Sequence, residues 1–264
     1  MSSSSDQRVL PLDLERTGYS YVERHNTTLV SLLQKHVLRS TPRARVLDIG
    51  CGAGANGRAI RAATPSVRLY GVEPDEGAAG LARGAYDEVF HGDVKGWLDT
   101  NVEEAFDAVV LSDVLEHIVD PIAFLRSLAK APSLARATWV ISVPNYGVWY
   151  NRVNAVLGRF EYSWSGLYDR THLRFFTRAS IRSSLSYAGF RLIDESSTPS
   201  LVQSLAPVLR KFFEKDVAQG DHLTLGASPA YRMYTRTVEP VENAVCRMWP
   251  ELLAFQIVTV ARLS

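Results

Sequence analysis

A chain of 264 residues that is 46% hydrophobic and 22% charged can bury a full core, which excludes a disordered or low-complexity protein. A formal net charge of +1 supplies no long-range field for a polyanion, so nucleic acid is disfavoured as a partner. Cys51 and Cys246, the only cysteines, offer neither a disulfide framework nor a thiolate zinc site, and suit a reducing cytoplasm.

The opening Met1-Ser2-Ser3-Ser4-Ser5-Asp6 lacks a basic start and an apolar run, so no signal peptide is expected and residues 1–16 read as a loose polar tail. The most apolar stretch, Leu252 to Leu263, falls short of the roughly 20 residues needed to span a bilayer, so no membrane partner is expected. Apolar and aromatic residues at Tyr19, Val22, Leu29, Leu32, Leu33 and Val37 predict an amphipathic helix closed by Thr41-Pro42.

The stretch Val46 to Gly57 then reads as a buried strand turning sharply into a helix. Its apolar run carries Asp48 and is cut by Gly50, Gly52 and Gly54 at alternate positions. Glycine there lets a ligand approach the backbone and allows positive φ, and the free N–H groups of the next helix face that ligand. Gly50, Gly52 and Ala55 also fit a dinucleotide fingerprint, with Glu73 21 residues beyond Gly52 where a ribose-binding acid belongs. A carboxylate at position 48 suits an ammonium-bearing ligand better than a pyrophosphate.

Further along, residues 67–73 predict a second strand delivering Glu73 and residues 75–84 a Gly/Ala-rich helix. Residues 88–93 form a third strand with its exit, where Asp93 could take an exocyclic amine with Val94 against the ring. Residues 106–113 form a strand buried on both faces, followed at once by Asp113, Glu116 and His117, a density of acid and imidazole that packing does not explain. Asp120-Pro121 opens a helix through Leu128, and residues 138–144 make strand five. Residues 146–176 hold nine aromatics, about three times the chain's share, which predicts a lid or pocket wall over a ring-shaped substrate, with Tyr146, Trp149 and Tyr168 as candidate contacts. A helix over 178–187, a strand over 190–194, helices over 205–213 and 238–249, and a last strand over 255–261 complete the pattern.

The blocks VLDIGCGAG, GVEPD, GDV and FDAVVLSDVLEHIVDP, in that order over residues 45–145, resemble those of class I S-adenosylmethionine (SAM)-dependent methyltransferases. An NAD oxidoreductase would share only the first two. The resemblance implies an α/β, Rossmann-like sheet of seven strands in the order 3-2-1-4-5-7-6, with helices on both faces and strand seven antiparallel. It implies a tail and helix over 1–40 and a methyltransferase domain over 41–264, with an aromatic-rich insertion after strand five and a helical one at 200–250. Asp48, Gly50, Gly52 and Gly54 would then frame the methionine end of SAM, Glu73 the ribose, and Asp93 with Val94 the adenine. Asp113 would open the loop beneath the sulfonium.

More locally, Asp113-x-x-Glu116-His117 with the later Asp169-Arg-Thr-His172-Leu-Arg174-Phe-Phe-Thr block is similar to methyltransferases of bacterial glycan and natural-product pathways. It is similar, more distantly, to ubiquinone-pathway and small-RNA O-methyltransferases, in the last of which a Glu-x-x-Glu-His block and a later histidine bind a divalent cation. Here Asp113 replaces the first glutamate, one methylene shorter. The expectation is a SAM-dependent O-methyltransferase of a small hydroxylated molecule, with His172 as general base and His117 second. Glu116, His117 and His172 form a candidate divalent-cation site. Arg170 and Arg174, with Arg178, could hold an anionic group of the substrate. N-methylation, RNA 2′-O-methylation, a non-catalytic SAM-binding role and a homodimer stay open.

Overall fold

The computed structural model describes residues 25–100, 104–163, 166–199, 237, 246 and 248–264. Seven strands form one sheet: β1 (Arg45–Ile49), β2 (Arg68–Glu73), β3 (Glu88–His91), β4 (Ala108–Ser112), β5 (Thr138–Pro144), β6 (Phe190–Pro199) and β7 (Ala254–Leu263). Their order is β3-β2-β1-β4-β5-β7-β6, as expected. The strands β1 to β5 pair in parallel, whereas β7 runs antiparallel to both β5 and β6.

Alternation along the strands builds two apolar layers, one on each face. Leu47, Ile49, Val109, Leu111, Trp139, Ile141 and Val143 face one side, where α4 (Val94–Leu98), α5 (Pro121–Ala129) and α7 (Arg178–Tyr187) contribute Trp97, Leu125, Leu128, Ile181 and Leu185. Val46, Ala108, Val110, Val140, Val258 and Val260 face the other. There α1 (Thr27–Leu33), α2 (Ala55–Ala63) and α3 (Glu76–Ala82) contribute Leu29, Leu33, Ile60 and Ala82. Two short helices complete the chain, α6 (Trp149–Val156) between β5 and β6 and α8 (Pro250–Leu253) immediately before β7.

The helix expected from Tyr19 begins instead at Thr27, with a π-turn over Gln34–Leu38 completing it. Asn26 is extended and its side chain accepts from Leu29 N, so it is an N-cap rather than a helical residue. Residues 19–24, the helix expected over 205–213 and, apart from 246, 248 and 249, the helix expected over 238–249 lie outside the described residues. The strand expected over 190–194 runs on to Pro199, because β7 supplies it with partners along its whole length, past an irregularity at Ile193. The 178–187 helix starts where expected, on a capping box between Thr177 and Ser180. Among the described residues no helix is long and apolar enough to cross a membrane.

Register fixes where the loops emerge. Ile49 pairs with Val72 and Leu111, Glu73 with His91, and Ser112 with Ser142, so five parallel strands end along one edge. The glycine turn, Glu73, Asp93 and Asp113 therefore share one side of the molecule. That edge is where an α/β sheet of this kind takes its ligand.

Candidate active site

The turn after β1 is held by β2. Gly50 N and Cys51 N donate to Val72 O, at 2.8 and 3.2 Å, and Gly52 N donates to Glu73 Oε2 at 2.8 Å. Gly50, Gly52 and Gly54 all have positive φ, and a Cβ at Gly50 would sit 2.8 Å from Val114 Cγ2 in the loop after β4. Glycine is required there on both counts.

Glu73 is 5% exposed, and its other oxygen accepts from Asp75 N at 3.0 Å. Burial pushes its pKa up, and the two amides oppose that push. Each oxygen keeps a further lone pair that could accept from a ligand hydroxyl. Asp93 caps α4, accepting from Gly96 N at 2.7 Å, with the half-buried Val94 beside it.

Asp48 takes a different position from the one its sequence neighbours suggested. It is wholly buried on the α1 face of the sheet, and its Oδ2 accepts from the Tyr86 hydroxyl at 2.5 Å. Gly57 leaves no room for a Cβ beneath the tyrosine ring. Asp48, Tyr86 and Gly57 thus brace the glycine turn and the start of α2 from behind. Burial raises the Asp48 pKa to about 7 despite the Tyr86 bond.

Asp113 is the only non-glycine described residue with positive φ, +55°. Such a backbone persists only where the surroundings hold it. Ser142 Oγ donates to its Oδ1 (3.3 Å) and Gln256 Nε2 to its Oδ2 (2.6 Å). Gln256 Oε1 accepts from Asn26 Nδ2 at 3.2 Å, and Asn26 N donates to Asn56 Oδ1 at 2.9 Å. A polar bridge thus runs over the sheet edge from α2 to the β4 exit through residues from four separate segments. Burial raises the Asp113 pKa to about 6, against the Gln256 and Ser142 bonds.

Beyond Asp113 a short 3-10 turn (Leu115–His117) brings Glu116 inward, 1% exposed. Its backbone carbonyl accepts from Leu173 N and Arg174 N, at 2.8 and 3.0 Å, which ties the β4 exit to the loop before α7. The two histidines meet across that tie with ring centroids 4.9 Å apart. His117 Nδ1 lies 3.1 Å from Thr171 O and His172 Nδ1 lies 3.2 Å from Leu167 O. A carbonyl can only accept, so each neutral ring that makes this bond carries its proton on Nδ1 and offers the Nε2 lone pair. Burial lowers both pKa values, and His117 lowers that of His172 further. Both rings are therefore bases rather than cations at neutral pH.

Glu116, His117 and His172 can each offer one ligand atom within 4.8 Å of the others. Both Glu116 oxygens are buried without a hydrogen-bond partner among the described residues, and burial drives its pKa well above the ordinary carboxyl value. A buried carboxyl without a hydrogen-bond partner among the described residues, close to two imidazole rings, suits a first-row divalent cation.

Rings of the aromatic segment pack on one another as a partly exposed wall, while Phe176 is buried in the core. Tyr146 lies 5.7 Å from Tyr168 and 4.6 Å from Phe175, and Phe160 packs on all three. Burial and Tyr168 push the Tyr146 hydroxyl up to about 12. Trp149 stands apart from this wall, against Tyr150. The arginines do not gather as one anion clamp. Arg174 Nε donates to Val119 O at 2.8 Å, Arg178 pairs with Glu195, and Arg170 is exposed on the loop whose backbone bonds Ser163. Fixed acceptors nearby hold the guanidinium groups of Arg174 and Arg178, and sequence spacing could not reveal these.

A family model described as "Methyltransferase domain" matches residues 21–195. No curated protein matches the chain. Among solved structures, a SAM-dependent methyltransferase from Archaeoglobus fulgidus is 21% identical, with 88% of this chain and 93% of that one covered and a TM-score of 0.50. The plantazolicin methyltransferase BpumL, in complex with a triazolic desmethylPZN analog and SAH, is 15% identical over 96% and 92% of the two chains, with a TM-score of 0.56. A putative sarcosine dimethylglycine methyltransferase from Galdieria sulphuraria is 15% identical over 93% and 92%, with a TM-score of 0.52. These likenesses are of fold.

Proposed function

The chain belongs to the methyltransferase-domain family, and from that premise, which makes SAM its methyl donor, we propose that the acceptor atom is a hydroxyl oxygen of a small molecule. The substrate class we infer is a sugar or glycan precursor or a bacterial secondary metabolite. The observation that carries the oxygen assignment is the pair of neutral histidines at the β4 exit, each with Nδ1 near a backbone carbonyl and Nε2 left as a base.

SAM supplies an electrophilic methyl on sulfur. When bound, it would pass that methyl to an acceptor oxygen and leave as the neutral thioether, and His172 Nε2 would take the hydroxyl proton. An alcohol with a pKa near ~15 needs that base, whereas an amine needs little more than a dry, aligned site. Gly50, Gly52, Gly54 and Asp113 would hold the methionine end, Glu73 the ribose, and Asp93 with Val94 the adenine. Tyr146 and Tyr168 would line the acceptor side.

His172→Ala is expected to lower kcat by about 10²-fold or more, the usual worth of a general base, while leaving the affinity for S-adenosylhomocysteine (SAH) in calorimetry within a few-fold. Transfer of labelled methyl to hydroxyl acceptors measures the first. A variant that keeps its kcat would assign the chemistry to an amine instead.

The orphaned carboxyl of Glu116 supports a second reading, in which Glu116, His117 and His172 hold a divalent cation. Such a cation would lower the acceptor's pKa where it binds. The carbonyls of Thr171 and Leu167 would fix the ring tautomers, as outer partners of metal-bound histidines do. Titration of the protein with Mn²⁺ tests this apart from activity: Glu116→Gln should weaken binding by about tenfold or more. Equal affinity in both proteins would remove the cation from the account.

A further inference from the structure

Helix α6 is inverted for a helix that packs on its own protein. Its buried position is Asn151, 2% exposed, whose amide donates to Tyr146 O at 3.1 Å. Its aliphatic residues point outward: Val153, Val156 and the following Leu157 are 47%, 86% and 56% exposed, at the i, i+3, i+4 spacing of one helical face. Phe160, just beyond, is 48% exposed and continues onto the aromatic wall of Tyr146, Tyr168 and Phe175. The apolar surface therefore leads to the loop in which Leu167 O holds His172.

The charge around this surface points to its occupant. Residues 146–178 carry five arginines and no lysine against Glu161 and Asp169, with Arg178 paired to Glu195 outside the segment, in a chain whose formal net charge is +1. Asp169 is only 3% exposed, so the segment's open face is basic. Arg152 and Arg159, both exposed, flank the aliphatic face. Long basic side chains beside exposed aliphatics match an interface where apolar groups enter the acyl boundary and guanidinium groups stay among anionic headgroups. A second copy packed on the same face through a twofold axis would bring like charges together.

We propose that α6 with Leu157 and Phe160 docks on an anionic lipid bilayer, where a lipid-anchored acceptor would present its hydroxyl to His172. This departs from the expectation of no membrane, which rested on the absence of a spanning segment and does not bear on a surface-lying helix. The choice of acceptor rests on the methyl-transfer reading of the site; the docking surface does not.

The test is sedimentation of the full chain with phosphatidylcholine vesicles and with vesicles containing an equal share of phosphatidylglycerol. Calorimetry with SAH is run on the same protein. The anionic vesicles should bind about tenfold or more tightly than the neutral ones and lose that preference in high salt. Val156→Ser combined with Leu157→Ser should abolish most of the binding while SAH affinity stays within about twofold, since neither side chain is in the cofactor site. No binding to either vesicle, or equal binding by the variant, overturns the proposal. So does a wild-type dimer in sedimentation velocity that the variant dissolves, which would assign the face to a second copy. Vesicle binding without SAH binding would leave the surface standing and remove the methyl-transfer reading; the reverse would remove the surface alone.

Discussion

Asp48 shows how one buried carboxyl can serve a turn at the expense of stability. Its Oδ1 has no partner among the described residues, and burial has raised its pKa from 3.8 to about 7. Between those two values the folded chain keeps a proton that the unfolded chain has released. The group's contribution is therefore full below about pH 4 and declines as pH rises toward 7. Asp48→Asn keeps an acceptor for Tyr86 and never ionises. It is expected to melt higher than the wild type at pH 8, by an amount on the order of 1–3 kcal/mol, with the gap closing near pH 4. Thermal melts at both pH values measure this, and a gap independent of pH would rule out the charge as its origin. Gly50→Ala meets the opposite constraint, since its Cβ would press on Val114 Cγ2 at a φ of +73°. It should cost about 1–3 kcal/mol and weaken SAH binding by displacing the Asp113 loop. The glycines and Glu73 were legible in the sequence because a strand-to-helix turn selects residue types at fixed local spacing. Tyr86 was not, because its partner Asp48 lies 38 positions away and no local pattern joins them.

At the scale of elements, the unforeseen feature is the bridge that joins the start of α1 to β7 and the β4 exit. Asn26 and Gln256 are 230 residues apart, and Gln256 and Asp113 are 143 apart. Only the antiparallel placement of β7 beside β5, which pairs Gln256 with Pro144, brings them together. Periodicity reports which face of an element is apolar, and an isolated glutamine in a terminal strand carries no such signal. The same limit applies to α6: aromatic density announced a wall, but the helix has its polar residue inside and its aliphatic residues outside. Asn26→Ala removes a cap and should cost about 0.5–2 kcal/mol. Gln256→Leu leaves the Asp113 carboxylate short of a donor and should cost about 1–3 kcal/mol. Because each leaves the same bridge broken, the double variant should be less destabilised than the sum, by about 0.5 kcal/mol or more, in urea titrations of all four proteins. Strict additivity would show that Asn26 and Gln256 act separately.

For the molecule as a whole, the strand order was expected from the methyltransferase resemblance, whereas the register that levels the strand ends is a property of the folded sheet. That levelling is what brings four loops, distant in sequence, to a single edge. Ile49, Glu73, His91 and Ser112 end their strands at matched heights, and the Gly52 to Glu73 bond and the Gly50 to Val114 contact tie the loops to each other. A ligand that spans the edge should therefore protect all four together rather than one by one. Hydrogen exchange with saturating SAH is expected to slow the amides at 50–56, 73–76, 92–96 and 113–117 in concert, with the far edge at β6 unchanged. A ligand held at about 100 times its Kd adds about 2.7 kcal/mol, so melting should rise by roughly 5–10 °C with SAH and not at all with NAD. Protection confined to 73–76 and 92–96 would mean that only the nucleoside half of the edge binds. The β4 exit, with its buried carboxyl and two histidines, would then lie outside the site and could not be where the methyl is transferred.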